Sequence, residues 1–368
     1  MKELMDWIRD TYQVPCAALT VHKDGKELWY GNFGYADEEK KSALSRDSLF
    51  WMYSMSKVFT VSLVMKLVGE GKIDLNAPVS DYLPEYASLH LRESGEKCRN
   101  ILRVYHLMSM TGGLDYKSDT PYLQEFTEKT HHKATTREVA GALAANGLIF
   151  EPGTHFEYSL CHDVLGGLIE EVTGTTFGKA LRDQILDPLN IGDLGFFPDT
   201  EQKKRIVNQY MAPEEMRSAG TENTLTLSSC QESGGAGLFG SVDEYCKLID
   251  MLSCGGRTAE GETLLTPEAV AMLMKPCDLP EACDRDFQKK FEDHDLKCYR
   301  YGLGVRVRVR EDGTSPIGEF GWDGAAGGYA LADPVNHISI TYMQSILNHG
   351  PAFSDIHPAI RREVYAAL

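Results

Sequence analysis

The stretch Tyr301–Arg310 reads YGLGVRVRVR, with apolar and basic residues in strict alternation from Val305 onward. A period of two is the pattern of a β-strand with one face on a core, and it is clearest in antiparallel strands whose other face meets water. The reading is therefore a half-exposed antiparallel strand close to the C-terminus. Ile317–Gly321, Gly328–Ala332 and His337–Met343 are three further strand candidates, with Asp333-Pro334-Val335-Asn336 as a turn. At the other end of the chain, Ala17–His22 (AALTVH) and Glu27–Tyr35 (ELWYGNFGY) flank Lys23-Asp24-Gly25-Lys26. Asp-Gly between apolar runs marks a hairpin.

Between these ends the apolar spacing turns helical. Met55–Glu70 reads as a buried helix, and Val104–Ser109, Thr136–Ala145, Asp163–Thr173, Thr176–Ile185, Val242–Leu252 and Thr266–Met274 carry helical periodicity. Ser241 and Thr266 stand at N-cap positions, and Pro267 fits the first helical residue. The opening MKELMDWIRDTYQVP and the closing His357–Ala367 read as amphipathic helices, and the highly charged 278–298 as an exposed excursion. Strands at both ends with helices between them imply an α/β fold of the α+β type: one antiparallel sheet built from both termini and flanked by helices. The expected division is a discontinuous sheet-containing domain, 1–70 and 290–368, with a mostly helical inserted region, 71–289.

The 368 residues carry 37 Lys+Arg against 54 Asp+Glu, a formal net charge of −17. Hydrophobic residues at 42% and charged residues at 25% describe a chain with a real core, which excludes disorder as the main state. The negative field repels phosphate, so neither nucleic acid nor an anionic membrane surface is an expected partner. The most apolar helix-length run, Val58–Val68, is interrupted by Lys66 and is too short to span a bilayer. No secretion signal is read at the start, and the nine cysteines contain no CxxC pair, which together lead to the expectation of reduced thiols in a cytoplasmic protein. Oligomeric state is left open. The eleven histidines show no HExxH or HxHxDH spelling, and P-loop, dinucleotide fingerprint and GxSxG elbow are all missing, so no metal or cofactor is expected.

Three constellations could carry chemistry. Ser54-Met55-Ser56-Lys57 is a Ser-x-x-Lys at a helix start, where residues three apart share a face. Its apolar flanks would desolvate the amine, lower its pKa and make it a base for the hydroxyl. The helix N-terminus offers N–H groups to an oxyanion. Read alone, an N-cap serine with a snorkelling lysine is an equally good account. A second copy, Ser94-Gly95-Glu96-Lys97, lies in a charged stretch and reads as a turn. Glu151–Ser159 (EPGTHFEYS) places Tyr158 just before a helix, where spacing alone favours a packed aromatic over a proton carrier. Phe320–Gly328 (FGWDGAAGG) has glycines within strand patterning, which marks either close approach by a ligand or another segment, or a bulge.

Taken in order, these segments resemble the serine β-lactamase and penicillin-binding-protein-like hydrolases, in the class C-like branch that includes carboxylesterases. The likeness runs from about Val14 to Tyr342. Ser54-Met55-Ser56-Lys57 is similar to the first family box. Ile101–Leu114 (ILRVYHLMSMTGGL), Phe150–Ser159, Gly167–Gly174, Pro188-Leu189 with Leu194-Gly195-Phe196, and Gly234–Leu238 resemble further family stretches. The resemblance implies Ser54 as acylated nucleophile, Lys57 and Tyr158 as sharers of base and proton-shuttle work, and the N–H groups of Ser54 and Ala325 as oxyanion hole. Tyr30-Gly31-Asn32 has the Tyr-x-Asn spelling but precedes the serine and lies in a strand, so it is the wrong copy.

Two departures bear on substrate. The second box normally reads Tyr-x-Asn and here is Tyr158-Ser159-Leu160, so an amide is missing; His162 is a candidate to face the site, with an exposed helix histidine the plainer account. The third box, normally Lys or His followed by Thr or Ser and Gly, is Trp322-Asp323-Gly324. The cation that pairs with a β-lactam or peptide carboxylate is lost; Trp322 offers an apolar wall, and an inward Asp323 would repel anions. The expectation is a serine hydrolase acting through an acyl-enzyme on small or apolar esters. An amidase or peptidase on D-amino-acid peptides, a weak β-lactamase, and a degenerate binding protein of the same fold are the alternatives. The expected partner is a small ester or amide substrate.

Overall fold

The computed structural model describes residues 1–37, 39, 41–212 and 217–368. Its strands are β1 (Cys16–Lys23), β2 (Lys26–Asp37), β3 (Ser42–Ala43), β4 (Phe50–Trp51), β5 (Gln209–Met211), β6 (Arg217–Gly220), β7 (Phe239–Gly240), β8 (Tyr299–Tyr301), β9 (Arg306–Arg308), β10 (Phe320–Gly321), β11 (Tyr329–Asp333), β12 (Ile338–Gln344) and β13 (Ile346–Leu347). Helices are α1 (Lys2–Tyr12), α2 (Ser56–Gly69), α3 (Val104–Met108), α4 (Pro121–Lys129), α5 (Thr136–Ala145), α6 (Cys161–Thr173), α7 (Phe177–Leu181), α8 (Thr200–Lys203), α9 (Val242–Ser253), α10 (Pro267–Leu273), α11 (Glu281–Lys290) and α12 (His357–Ala366). Among the described residues no helix is long and apolar enough to cross a membrane.

Eight strands form one antiparallel sheet in the order β3-β2-β1-β12-β11-β10-β9-β8, so the N-terminal hairpin joins the C-terminal strands through β1 and β12. Asp24 and Gly25 both adopt positive φ (51° and 69°), the two-residue turn whose twist suits a hairpin. One sheet face buries Ala17, Leu19, Val21, Ile338, Ile340 and Tyr342 against α1 and α12. The other face packs on α9, and α2 lies in the large core beyond it, buried on nearly every side. That all-round burial is what an apolar helix without a polar stripe requires. The caps fall where the sequence placed them: Ser241 Oγ accepts from Glu244 N and Thr266 Oγ1 from Ala269 N, with Pro267 leading α10.

Two expectations need correction. Tyr301–Arg310 is not one half-wet strand. Its register breaks after Tyr301, and β8 pairs back on β9. Arg306 and Arg308 are 1% and 0% exposed. Arg306 donates to Asp323 Oδ1 (2.7 Å) and the Ala330 carbonyl (2.9 Å), and Arg308 to Tyr299 OH (3.0 Å). Buried charges persist only when paired, and the face read as solvent is occupied by partners. Residues 278–298 are not simply an exposed excursion either: they contain α11, which turns Cys283 and Phe287 into the core.

Glycine at 321 is a packing requirement. A Cβ there would collide with the Ala330 carbonyl across the β10–β11 ladder. Gly321→Ala is expected to cost about 1–3 kcal/mol, the range for overpacking a tight site. A lowered urea midpoint with unchanged slope would record it; an unaltered midpoint would show that the strands separate freely.

Candidate active site

The chain enters α2 through a short 3₁₀ turn, Tyr53–Met55, with Tyr53 at φ 48°. A bulky residue in this region is strained and must be held by its surroundings. The Tyr53 hydroxyl donates to Gln209 Oε1, Tyr245 OH donates to the Met55 carbonyl (3.0 Å), and Ser56 Oγ accepts from Leu238 N (3.0 Å). Ser54 is thereby presented at the mouth of the helix, half-buried, with Lys57 one turn on.

Lys57 is completely buried. Its Nζ donates to Ser54 Oγ (3.1 Å), Tyr116 OH (3.1 Å) and the Gly235 carbonyl (2.7 Å), and lies 4.6 Å from the Tyr158 ring centre. Burial pushes its pKa down to about 7, opposed by Asp163 and Cys161. Neutral amine is therefore abundant near neutrality, within reach of the serine hydroxyl.

Tyr158 OH accepts from Trp322 Nε1 at 2.7 Å and is hydrogen-bonded with Ser54. Burial pushes this phenol's pKa up, against the lowering by those two bonds. A neighbouring ammonium would favour the phenolate. Here Lys57 sits over the ring, and desolvation wins, so Tyr158 is a neutral hydroxyl that can pass a proton.

The third box closes against the serine turn because glycines allow it. A Cβ on Gly324 would lie 2.6 Å from the Met52 carbonyl oxygen. The turn is closed by Gly324 N to the Gly328 carbonyl (2.9 Å), and Ala325 packs on the small cluster that contains Tyr53. Trp322 forms an aromatic wall with Tyr158, Phe291 and Tyr301, ring centres 5.1–5.6 Å apart. Asp323 does not face a substrate as a free anion; its carboxylate is taken by Arg306.

The other candidates divide. Leu160 is buried in the core at the start of α6. His162 is not an exposed helix histidine. It is 0% exposed, neither ring nitrogen has a hydrogen-bond partner among the described residues, and burial together with Lys57 holds its pKa far below the usual range, so it is a neutral packed ring. The second Ser-x-x-Lys is an exposed turn in which Ser94 Oγ accepts from Glu96 N. Tyr30 is stacked under Arg46 on β2. Sequence reasoning missed Tyr116, Asp163, Gly235 and Phe291. Tyr116 stands two residues beyond the Ile101–Leu114 stretch, and that proximity was the available signal.

The fold and the family profile place the chain among the serine hydrolases. The chain belongs to the Beta-lactamase family, whose profile matches residues 1–364. It is 26% identical over 359 residues to Protein Rv1367c of Mycobacterium tuberculosis, covering 92% of this chain and 86% of that protein. It is 27% identical over 263 residues to Esterase EstB of Burkholderia gladioli, covering 64% and 65%. Among solved structures, EstCE1, a hydrolase with promiscuous acyltransferase activity, superposes with a TM-score of 0.82 at 23% identity over 99% of this chain and 97% of its own.

If Lys57 is the group that must lose its proton, modification of Ser54 by a fluorophosphonate should fall off as pH drops through about 7. Protonation of the amine removes the base, so the loss lies on the acid side. Labelling rates measured from pH 5 to 10 check this; a midpoint near the ordinary lysine value would remove burial as the activating force.

Proposed function

We propose that this protein is an esterase that works through an acyl-enzyme on Ser54, with small or apolar acyl esters as its substrates. One observation carries the reading: a buried Lys57 amine, 3.1 Å from Ser54 Oγ, whose desolvation places its titration near neutrality. Lys57 takes the hydroxyl proton as Oγ bonds to the acyl carbon. The N–H groups of Ser54 and Ala325 receive the oxyanion. As the intermediate collapses, the ester C–O bond breaks, and the Lys57 proton reaches the leaving alkoxide through the Tyr158 hydroxyl. Water then adds to the acyl carbon, gives its proton back along the same path, and Ser54 leaves protonated as the acid departs.

The ester preference rests on what surrounds the serine. Trp322, Tyr158 and Phe291 supply aromatic surface. The third box brings no cation, and the nearby Arg306 is committed to Asp323. A substrate carboxylate would thus lose a charge-assisted hydrogen bond worth about 1.5–3 kcal/mol. Esterase and hydrolase names among the relatives point the same way.

The kcat/KM for nitrophenyl butyrate is expected to exceed that for a chromogenic cephalosporin, and Ser54→Ala should lower ester turnover by about 10³-fold or more. A clear preference for the cephalosporin would replace the esterase reading with a β-lactamase. Lys57→Ala and Tyr158→Phe should each slow acylation severely, with the double variant little worse than the worse single one, because groups acting as a unit are non-additive. Losses that multiply would return Tyr158 to a packing role.

A further inference from the structure

We propose that Asp163 is a positioning residue of the Ser54–Lys57 pair: its buried carboxylate is the counter-charge of Lys57 and anchors the segment whose Gly235 carbonyl receives the lysine. This rests on the reading of Lys57 as the base of Ser54.

Asp163 lies in the first turn of α6, five residues after Tyr158, and is 1% exposed. A carboxylate so placed needs partners. Oδ1 accepts from Gln231 Nε2 (2.7 Å) and Ser233 Oγ (2.6 Å). The other oxygen lies against Gly235: a Cβ there would sit 2.6 Å from Oδ2 and 3.6 Å from Lys57 Nζ. Carboxylate and amine therefore border the same space over Gly235, which has no side chain to fill it, without touching each other.

The segment between them is tied on both sides. Asp163 holds Gln231 and Ser233, and Ser233 Oγ accepts from Ala236 N (3.0 Å). From α2, Thr60 Oγ1 donates to the Gly234 carbonyl (2.7 Å) and Lys57 to that of Gly235 (2.7 Å). A shift of Asp163 would move the Gly235 carbonyl and with it the lysine.

The titratable groups that face Lys57 are Tyr116, Tyr158, and Cys161, His162 and Asp163 of α6. Among the described residues Asp163 is the carboxylate whose field acts on Lys57, and it holds the lysine's affinity for protons up against desolvation. Burial raises the pKa of Asp163 itself; Ser233 and Lys57 oppose that and favour the ionised form. When Lys57 takes the serine proton it becomes an ammonium in a dry site, and a fixed carboxylate stabilises that charge as it forms.

Asp163→Asn keeps the shape and the acceptor oxygen and removes the charge. The acid limb of ester kcat/KM, and that of fluorophosphonate labelling, should move about one to three pH units lower, the shift a nearby opposite charge produces. A limb that stays in place in folded Asp163→Asn would overturn the proposal and leave Asp163 a structural residue. Should that variant not fold, Gly235→Ala carries the test. Its φ is not positive, and the new methyl must displace the carboxylate from the lysine, so the same downward shift is expected and an unmoved limb overturns the idea. Labelling of Ser54 in the unaltered protein keeps the two readings apart: without it the serine reading fails, whereas with it an unmoved limb removes only the role of Asp163.

Discussion

Placing an amine in a dry interior beside a serine hydroxyl is the constraint around which the rest of this molecule is arranged. An unpaired ammonium buried away from water is costly, so the lysine must be given acceptors, a counter-charge, or a pKa low enough to be neutral. Lys57 has all three: the Ser54, Tyr116 and Gly235 oxygens, the Asp163 carboxylate, and a titration near 7. Each demand recruits a different part of the chain. The interior of α2 supplies the desolvation, α6 the counter-charge, and the glycine-rich segment before β7 the carbonyl. Chain topology explains why these parts are close, since the sheet made from both termini holds the Trp322–Gly328 turn against the entrance to α2.

Much of this was legible in the residues. The Asp24-Gly25 hairpin, the caps at Ser241 and Thr266, and the strands Tyr329–Asp333 and Ile338–Gln344 are set by local chemistry, and local chemistry is what a sequence displays. Ser54-Met55-Ser56-Lys57 was distinguishable from Ser94-Gly95-Glu96-Lys97 for the same reason: only the first has apolar neighbours to dry its lysine. Arg306 and Arg308 misled because alternation records polarity, while exposure depends on whether partners arrive from elsewhere in the chain. For Arg306 the partner is Asp323, and Arg308 meets Tyr299.

The α11 segment failed for a related reason. Its charges dominate any average over 278–298, yet Phe287 and Phe291 reach Phe156, Tyr158 and Trp322. Salt bridges from Lys290 to Glu157 and Arg300 to Asp284 fasten the same segment beside the Tyr158 loop. Tyr116 carries no pattern of its own, and its place two residues beyond the Ile101–Leu114 stretch is the one signal it gives. It is flanked by Asp115 and Lys117 and 43% exposed, and only the fold turns its hydroxyl to Lys57. Trp322 and Leu160, by contrast, were readable as departures from a resemblance, and the aromatic wall and the buried leucine are what replaced the polar groups.

The most direct measurement is the site of the covalent intermediate. Acid-quenching the enzyme during turnover of a slowly deacylated aryl ester, followed by peptide mapping by mass spectrometry, should find one acyl group on Ser54 and on no other residue. An adduct on Ser56 or Ser94, or turnover with no trapped acyl group on the chain, would contradict the account.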